Sequence, residues 1–337
     1  MVRNGRGRSK DGCVSADGCF TGAASVYCRM SIALIILLFA LLFLVFVSLI
    51  LFVVGPFMLL QPYRRTEEYY GRRTTLLHPS AVTSEFEEWS LHTAEGIPLS
   101  LWLLKPHGVP RGTVIYLHGV SESKIAGLPM AGALLEAGYT VVLYDARRHG
   151  ESGGTFCTYG FYEKHDVSTI ISWLGSRADA PGGPIVLFGS SMGAAVAIHA
   201  AARDRRVAGV IAESGFASLR TVFDEYQKRM IKLPFHYLRN VVIRRSERLA
   251  HFKAAWVSPL TAIAQLRAPV LITHGTDDSL IGHRYSRQLF DAATEPRQLL
   301  LVPHARHDNM WDAGGEFYRA QLTGFLARLV APQKESQ

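Results

Sequence analysis

Ser191 stands at the centre of Gly189-Ser190-Ser191-Met192-Gly193, between an apolar run at 185–188 and a small-residue run at 194–202. A strand that turns sharply into a helix through Gly-x-Ser-x-Gly leaves the middle serine on a strained corner with its hydroxyl clear of the backbone. The central position makes Ser191, and not Ser190, the candidate nucleophile. A serine hydroxyl attacks poorly until a base removes its proton, and the base needs a carboxylate to fix its tautomer. Two later loops hold such groups: His274-Gly275-Thr276-Asp277-Asp278, and Pro303-His304-Ala305-Arg306-His307-Asp308-Asn309. Serine, then aspartate, then histidine is the chain order expected when a nucleophile elbow comes first. Asp277 or Asp278, and His304 or His307, complete the set on this reading, and the chemistry is acyl transfer.

These groups must be brought together by elements far apart in the chain. Strand-like runs occur at 85–91, 99–104, 113–117, 140–144, 185–188, 207–212, 270–273 and 298–302, with helical stretches such as 128–137 and 166–174 between them. The first two flank a Glu95-Gly96 turn and read as a hairpin. The remainder alternate with helices, which predicts an α/β fold with a mostly parallel sheet covered on both faces. Chemistry in such sheets collects at the carboxyl ends of the strands, where each of the polar clusters above is found.

At 337 residues the chain is long enough for a large core. Residues 31–54 carry no charge and no proline and are followed by Gly55-Pro56. At about 1.5 Å per residue they span the roughly 30 Å hydrocarbon core, and the run is longer than the apolar part of a cleavable signal. The segment is read as a single membrane anchor, with 1–30 a disordered basic tail and 55–84 a juxtamembrane linker. Five basic residues precede the anchor and four follow it closely, so charge does not assign a membrane side. The formal charge of +8 is concentrated in residues 1–30 (+3), 61–75 (+2) and 219–254 (+6). That distribution excludes a global nucleic-acid-binding surface. Three of the four cysteines precede the anchor or sit at its edge, and neither a disulfide framework nor metal-ligand spacing is present.

Four motifs carry a resemblance to a known family. They are Leu117-His118-Gly119-Val120, Asp145-Ala146-Arg147-Arg148-His149-Gly150-Glu151-Ser152-Gly153-Gly154, the elbow at 189–193, and His274 to Asp278. Residues 85–330 resemble an α/β-hydrolase, nearest the serine-aminopeptidase-like and monoacylglycerol-lipase-like branch with a membrane-anchored N-terminus. Arg148 and Arg306 stand where that pattern usually has glycine. The resemblance implies an eight-stranded sheet, Asp278 as the acid, His307 as the base, and the N–H groups of Val120 and Met192 as the oxyanion hole. The side chain of His118 is read as bracing its turn in preference to taking part in chemistry, Asp145 and Arg147 as holding their loop in preference to contacting substrate, and neither cofactor nor metal is implied. Glu213 ends the sixth strand near the site and has no mechanistic role on this reading.

The family inserts a cap where 219–258 interrupts the alternation. Here the insert mixes Phe223, Tyr226, Met230, Ile231, Phe235, Tyr237 and Leu238 with nine basic residues. Its two readings are a plain amphipathic helix pair and a lid that meets anionic lipid. The expected activity is cleavage of a carboxylic ester or thioester on a small acyl or lipid substrate. The rival readings are a peptidase acting on short peptides and a catalytically silent membrane-tethered binding module.

Overall fold

The computed structural model describes the backbone of residues 21–230 and 236–330, and the side chains of 32–227 and 237–330. Its eight strands are β1 (Phe86–His92), β2 (Pro98–Leu104), β3 (Thr113–Leu117), β4 (Thr140–Tyr144), β5 (Ile185–Ser190), β6 (Val207–Glu213), β7 (Val270–Gly275) and β8 (Arg297–Val302). They form one sheet in the order β1-β2-β4-β3-β5-β6-β7-β8. β1 and β2 form an antiparallel hairpin and β2 runs antiparallel to β4, while every pairing from β4 to β8 is parallel. Every residue of β3, β4 and β7 is buried, as a sheet covered on both faces requires. Two apolar layers result, one on each face. Six of the ten residues of the helix Met192–Ala201 are Ala or Gly, and the helix is buried along its whole length. Its small side chains let it lie close against β5, β6 and β3.

The chain divides into two units, Met1–Ile50 and Leu51–Gln337. In the first, the helix Thr21–Leu49 carries a run of exposed leucine, isoleucine and phenylalanine side chains. It begins ten residues before the boundary expected for the basic tail, whose residues 1–20 lie outside the described residues. The helical run Ile32–Leu60 has a mean hydropathy of 3.4 and is long and apolar enough to cross a membrane.

Gly55-Pro56 does not end this run. A π-helical turn, Ile50–Val54, leads into the helix Gly55–Leu60, with Pro56 in its first turn. Proline inside an α-helix clashes with the carbonyl four residues back and lacks an N–H to donate; widening the turn before it removes both conflicts.

Residues 55–84 are also more than a linker. Leu60 is 1% exposed and belongs to the domain core. Its carbonyl accepts the Cys157 N–H at 2.8 Å, and the Leu59 carbonyl accepts the Tyr159 hydroxyl at 2.8 Å. The hydrolase unit therefore begins well before residue 85.

The insert at 219–258 is a helix pair, Leu219–Met230 and His236–Leu249, followed by the short turn Ala254–Trp256. Phe223 is buried against Tyr159, with ring centroids 5.7 Å apart, whereas Tyr237 and Leu238 are exposed. The side chains of Met230, Ile231 and Phe235 lie outside the described residues. Helix His236–Leu249 packs against Gly55–Leu60.

Candidate active site

The end of β5 and the start of the following helix form the sharp corner the motif requires. Ser191 has φ 54° and ψ −111°, a conformation costing about 1–3 kcal/mol in a residue with a side chain. The flanking glycines make room for it. A Cβ on Gly189 would lie 2.1 Å from the Gly193 carbonyl oxygen, and one on Gly193 would lie 1.9 Å from the Leu117 carbonyl oxygen. The Ser191 N–H donates to the Glu213 carbonyl at 2.8 Å, tying the corner to the end of β6.

His307, in the loop after β8, places Nε2 3.0 Å from the Ser191 hydroxyl and Nδ1 2.7 Å from Asp278 Oδ2. Asp278 lies in the turn after β7. Its Oδ1 accepts the N–H groups of Leu280 and Ile281, each at 2.8 Å, and Oδ2 lies 3.1 Å from His274 Nε2. Burial opposes charge on Asp278, but hydrogen bonds from His274 and His307 outweigh it and hold the carboxyl well below its usual range. His274 is fully buried and is oriented by Ser286 through Nδ1 at 2.6 Å and by the Ile281 carbonyl through Nε2 at 2.8 Å. A hydroxyl, an imidazole and a carboxylate bonded in this sequence can pass a proton from the hydroxyl to the ring while the carboxylate steadies the imidazolium.

The alternatives fall outside this line. His304 is an exposed loop residue whose Nδ1 lies 3.6 Å from Asp277 Oδ2, so the two runners-up face one another and not Ser191. Arg306 keeps an ordinary negative φ, so the loop does not require the glycine the family pattern would put there. Arg148 does sit in the left-handed region, with φ 68°, which is the physical reason glycine suits that place.

Val120 lies in the turn after β3, facing the same cleft as Ser191. Met192 opens the helix Met192–Ala201, where an N–H has no partner within the helix. His118 braces the turn: Nδ1 is 2.8 Å from the Gly119 carbonyl and Nε2 accepts the Ala146 N–H at 3.0 Å. Asp145 is buried and accepts the N–H groups of Lys124 at 2.7 Å and Glu151 at 2.9 Å, holding two loops together. Arg147 binds Asp166 through two bonds of 2.7 and 2.6 Å. The cleft, of about 530 Å³, is lined by Arg65, Val120, Glu122, Ser191, Leu280 and His307, among others.

Sequence reasoning gave no role to four contributors. His274 braces Asp278, and its place four residues ahead of that aspartate was a usable signal. Glu213 lies beneath the elbow, accepting the Tyr318 hydroxyl at 2.5 Å, and burial pushes its carboxyl up against the pull of the Tyr318 and Ser190 hydroxyls. Arg65 and Glu122 face the cleft from a segment read as linker and from the turn beside Val120. Among the described residues no group of three or more metal-ligating side chains is clustered.

With this geometry in place, known proteins supply the lineage. Residues 108–259 match the family model described as serine aminopeptidase, S33. YqkD of Bacillus subtilis strain 168 is 32% identical over 240 residues, covering 69% of this chain and 77% of that protein. The chain is an α/β-hydrolase of this family. YfhR of Escherichia coli K12 is 27% identical to this hydrolase over 291 residues, 84% of this chain and 95% of its own. Among solved structures, the Pyrococcus furiosus esterase Pf2001 superposes with a TM-score of 0.65 at 24% identity, covering 80% of the hydrolase and 98% of the esterase. That likeness is one of fold.

Proposed function

We propose that this hydrolase cleaves carboxylic esters or thioesters at a membrane surface through an acyl-enzyme intermediate. The observation that carries the reading is the pair of bonds made by His307, 3.0 Å to the Ser191 hydroxyl and 2.7 Å to Asp278. Ser191 Oγ attacks the carbonyl carbon as its proton passes to His307 Nε2. Asp278 keeps the ring oriented and stabilises its positive charge. The N–H groups of Val120 and Met192 receive the oxyanion, each worth roughly 3 kcal/mol in the transition state. His307 then protonates the leaving group, and water activated by the same ring releases the acid. The Ile32–Leu60 helix supports a single-pass anchor. The exposed Tyr237, Leu238, Arg244 and Arg248 of the helix pair support contact with anionic lipid and an acyl or lipid substrate.

The family model's description, serine aminopeptidase, favours a second reading in which short peptides are cleaved by the same groups. A panel of p-nitrophenyl esters of increasing chain length, run beside acyl-thioesters and aminoacyl amides, tests the choice. Turnover of esters or thioesters well above amides is expected. Preference for aminoacyl amides would replace the proposal with the peptidase reading, and no turnover or fluorophosphonate labelling would leave a binding module.

A further inference from the structure

The turn that carries Val120 is gripped from outside by residues that follow the apolar helix. Within the turn, the Glu122 N–H donates to the Gly119 carbonyl at 3.2 Å, and Ser121 holds φ 67°. A positive φ at the third position of such a turn normally calls for glycine; serine stays there only when its surroundings impose it. Arg65 supplies two of those constraints. Its backbone N–H donates to the Ser121 carbonyl at 3.2 Å, and its Nη1 donates to Glu122 Oε1 at 3.0 Å. The other carboxylate oxygen of Glu122 accepts the Gly119 N–H at 2.9 Å, fixing the residue just before Val120. Beyond the turn, the Ser123 N–H donates to the Tyr70 hydroxyl at 2.9 Å, and beside it Arg64 Nη1 donates to the Gly150 carbonyl at 2.9 Å. The turn is close to the nucleophile: a Cβ placed on Gly119 would lie 3.5 Å from the Ser191 Cβ.

We infer that Arg65 is a positioning residue for the oxyanion turn, acting through Glu122 and Ser121, so that transition-state stabilisation depends on the docked juxtamembrane segment. The inference rests on the acyl-enzyme reading above. The chain from Arg65 to Glu122 to the Gly119 N–H sets the direction of the Val120 peptide. Losing the guanidinium frees the Glu122 carboxylate to turn toward water and lets the strained turn relax. Arg65 and Glu122 line the cleft, but what their contacts fix is a donor needed only as the oxyanion forms, so the loss falls on turnover.

The test uses the full-length protein in detergent and compares Arg65→Ala, Arg65→Lys, Glu122→Gln and the Arg65→Ala/Glu122→Gln pair, with Ser191→Ala alongside. Readouts are kcat and KM on a p-nitrophenyl ester, thermal midpoint, and affinity for a trifluoromethyl ketone that forms a tetrahedral adduct. Arg65→Ala should lower kcat by roughly 10- to 100-fold, part of the effect of deleting an oxyanion donor, with KM changed by less than about 2-fold. Its affinity for the ketone should fall by a similar factor. Arg65→Lys should recover most of the turnover, and the double variant should be no worse than the worse single variant. Unchanged kcat and ketone affinity in Arg65→Ala, while Ser191→Ala is inactive, would overturn the inference and spare the acyl-enzyme reading. So would a kcat loss that tracks thermal midpoint and is not restored by lysine. Full turnover in Ser191→Ala would overturn both.

Discussion

At the scale of single residues, the proposed mechanism makes the candidate site a set of groups that work only together. On the proposed acyl-enzyme reading, the Ser191 hydroxyl would keep its proton without the His307 ring, and the ring would take the wrong tautomer without the Asp278 carboxylate. His307→Ala and Asp278→Asn are expected to lower kcat by about 10⁴ in protein that still folds, measured on a soluble ester. His304→Ala and Asp277→Asn should change it little, because that pair faces outward. Glu213 gives a prediction with a sign. Burial raises its carboxyl pKa in the native state above the ordinary value near 4. The unfolded chain therefore loses this proton at lower pH than the native protein does. Native stability falls as pH rises from about 4 through the raised native value. Glu213→Gln keeps an acceptor for the Tyr318 hydroxyl but carries no proton to lose. The variant's thermal midpoint relative to the parent should thus rise between pH 4 and pH 8; a pH-independent difference would show that Glu213 does not titrate this way.

At the scale of elements, the loop after β4 carries a conformation that one of its residues resists. Arg148 holds φ 68° where glycine would be unstrained, and its charge lies near Arg64, whose pKa burial and that repulsion lower. Arg148→Gly should therefore stabilise the protein by about 0.5–1 kcal/mol despite the added freedom of the unfolded chain, readable in a chemical-denaturation midpoint. The elements themselves were legible in the sequence wherever a local pattern sufficed. The apolar runs located the strands to within a few residues, and Gly-x-Ser-x-Gly located the elbow. Chain order together with the His274–Asp278 motif pointed to the groups that meet at Ser191. What escaped was set by contacts distant in the chain. Gly55-Pro56 looks like a stop because nothing local announces the π-turn that accommodates it. Residues 55–84 look like a linker because they are polar and arginine-rich, yet Leu60, Arg64, Arg65 and Tyr70 are held by partners 53 to 97 positions away. Glu213 could be seen at a strand end, but not the Tyr318 hydroxyl that meets it.

At the scale of the whole molecule, the hydrolase unit starts before its first strand. A chain truncated to begin at Tyr70 loses the buried Leu60, worth about 2 kcal/mol, and the Arg64 and Arg65 bonds with it. It should melt roughly 5 °C or more below a chain beginning at Leu51. Equal midpoints would show that the segment adds nothing to the domain. The exposed basic face of the helix pair adds a second test. Each Lys or Arg near an anionic surface contributes on the order of 1 kcal/mol, screened by salt. The chain beginning at Leu51 should bind anionic vesicles in a salt-sensitive way and neutral ones weakly. The Arg244→Glu/Arg248→Glu variant should bind anionic vesicles less. Equal binding to both vesicle types would assign the attachment to apolar contact alone.

The claim that Ser191 is an acyl-accepting nucleophile driven by His307 is tested most directly by treating the full-length protein with a fluorophosphonate and locating the adduct by mass spectrometry. A single adduct on Ser191 is predicted, formed at least about 10³-fold more slowly in His307→Ala and at the parent rate in His304→Ala. An adduct on another residue, or labelling of Ser191 that is indifferent to His307, would contradict it.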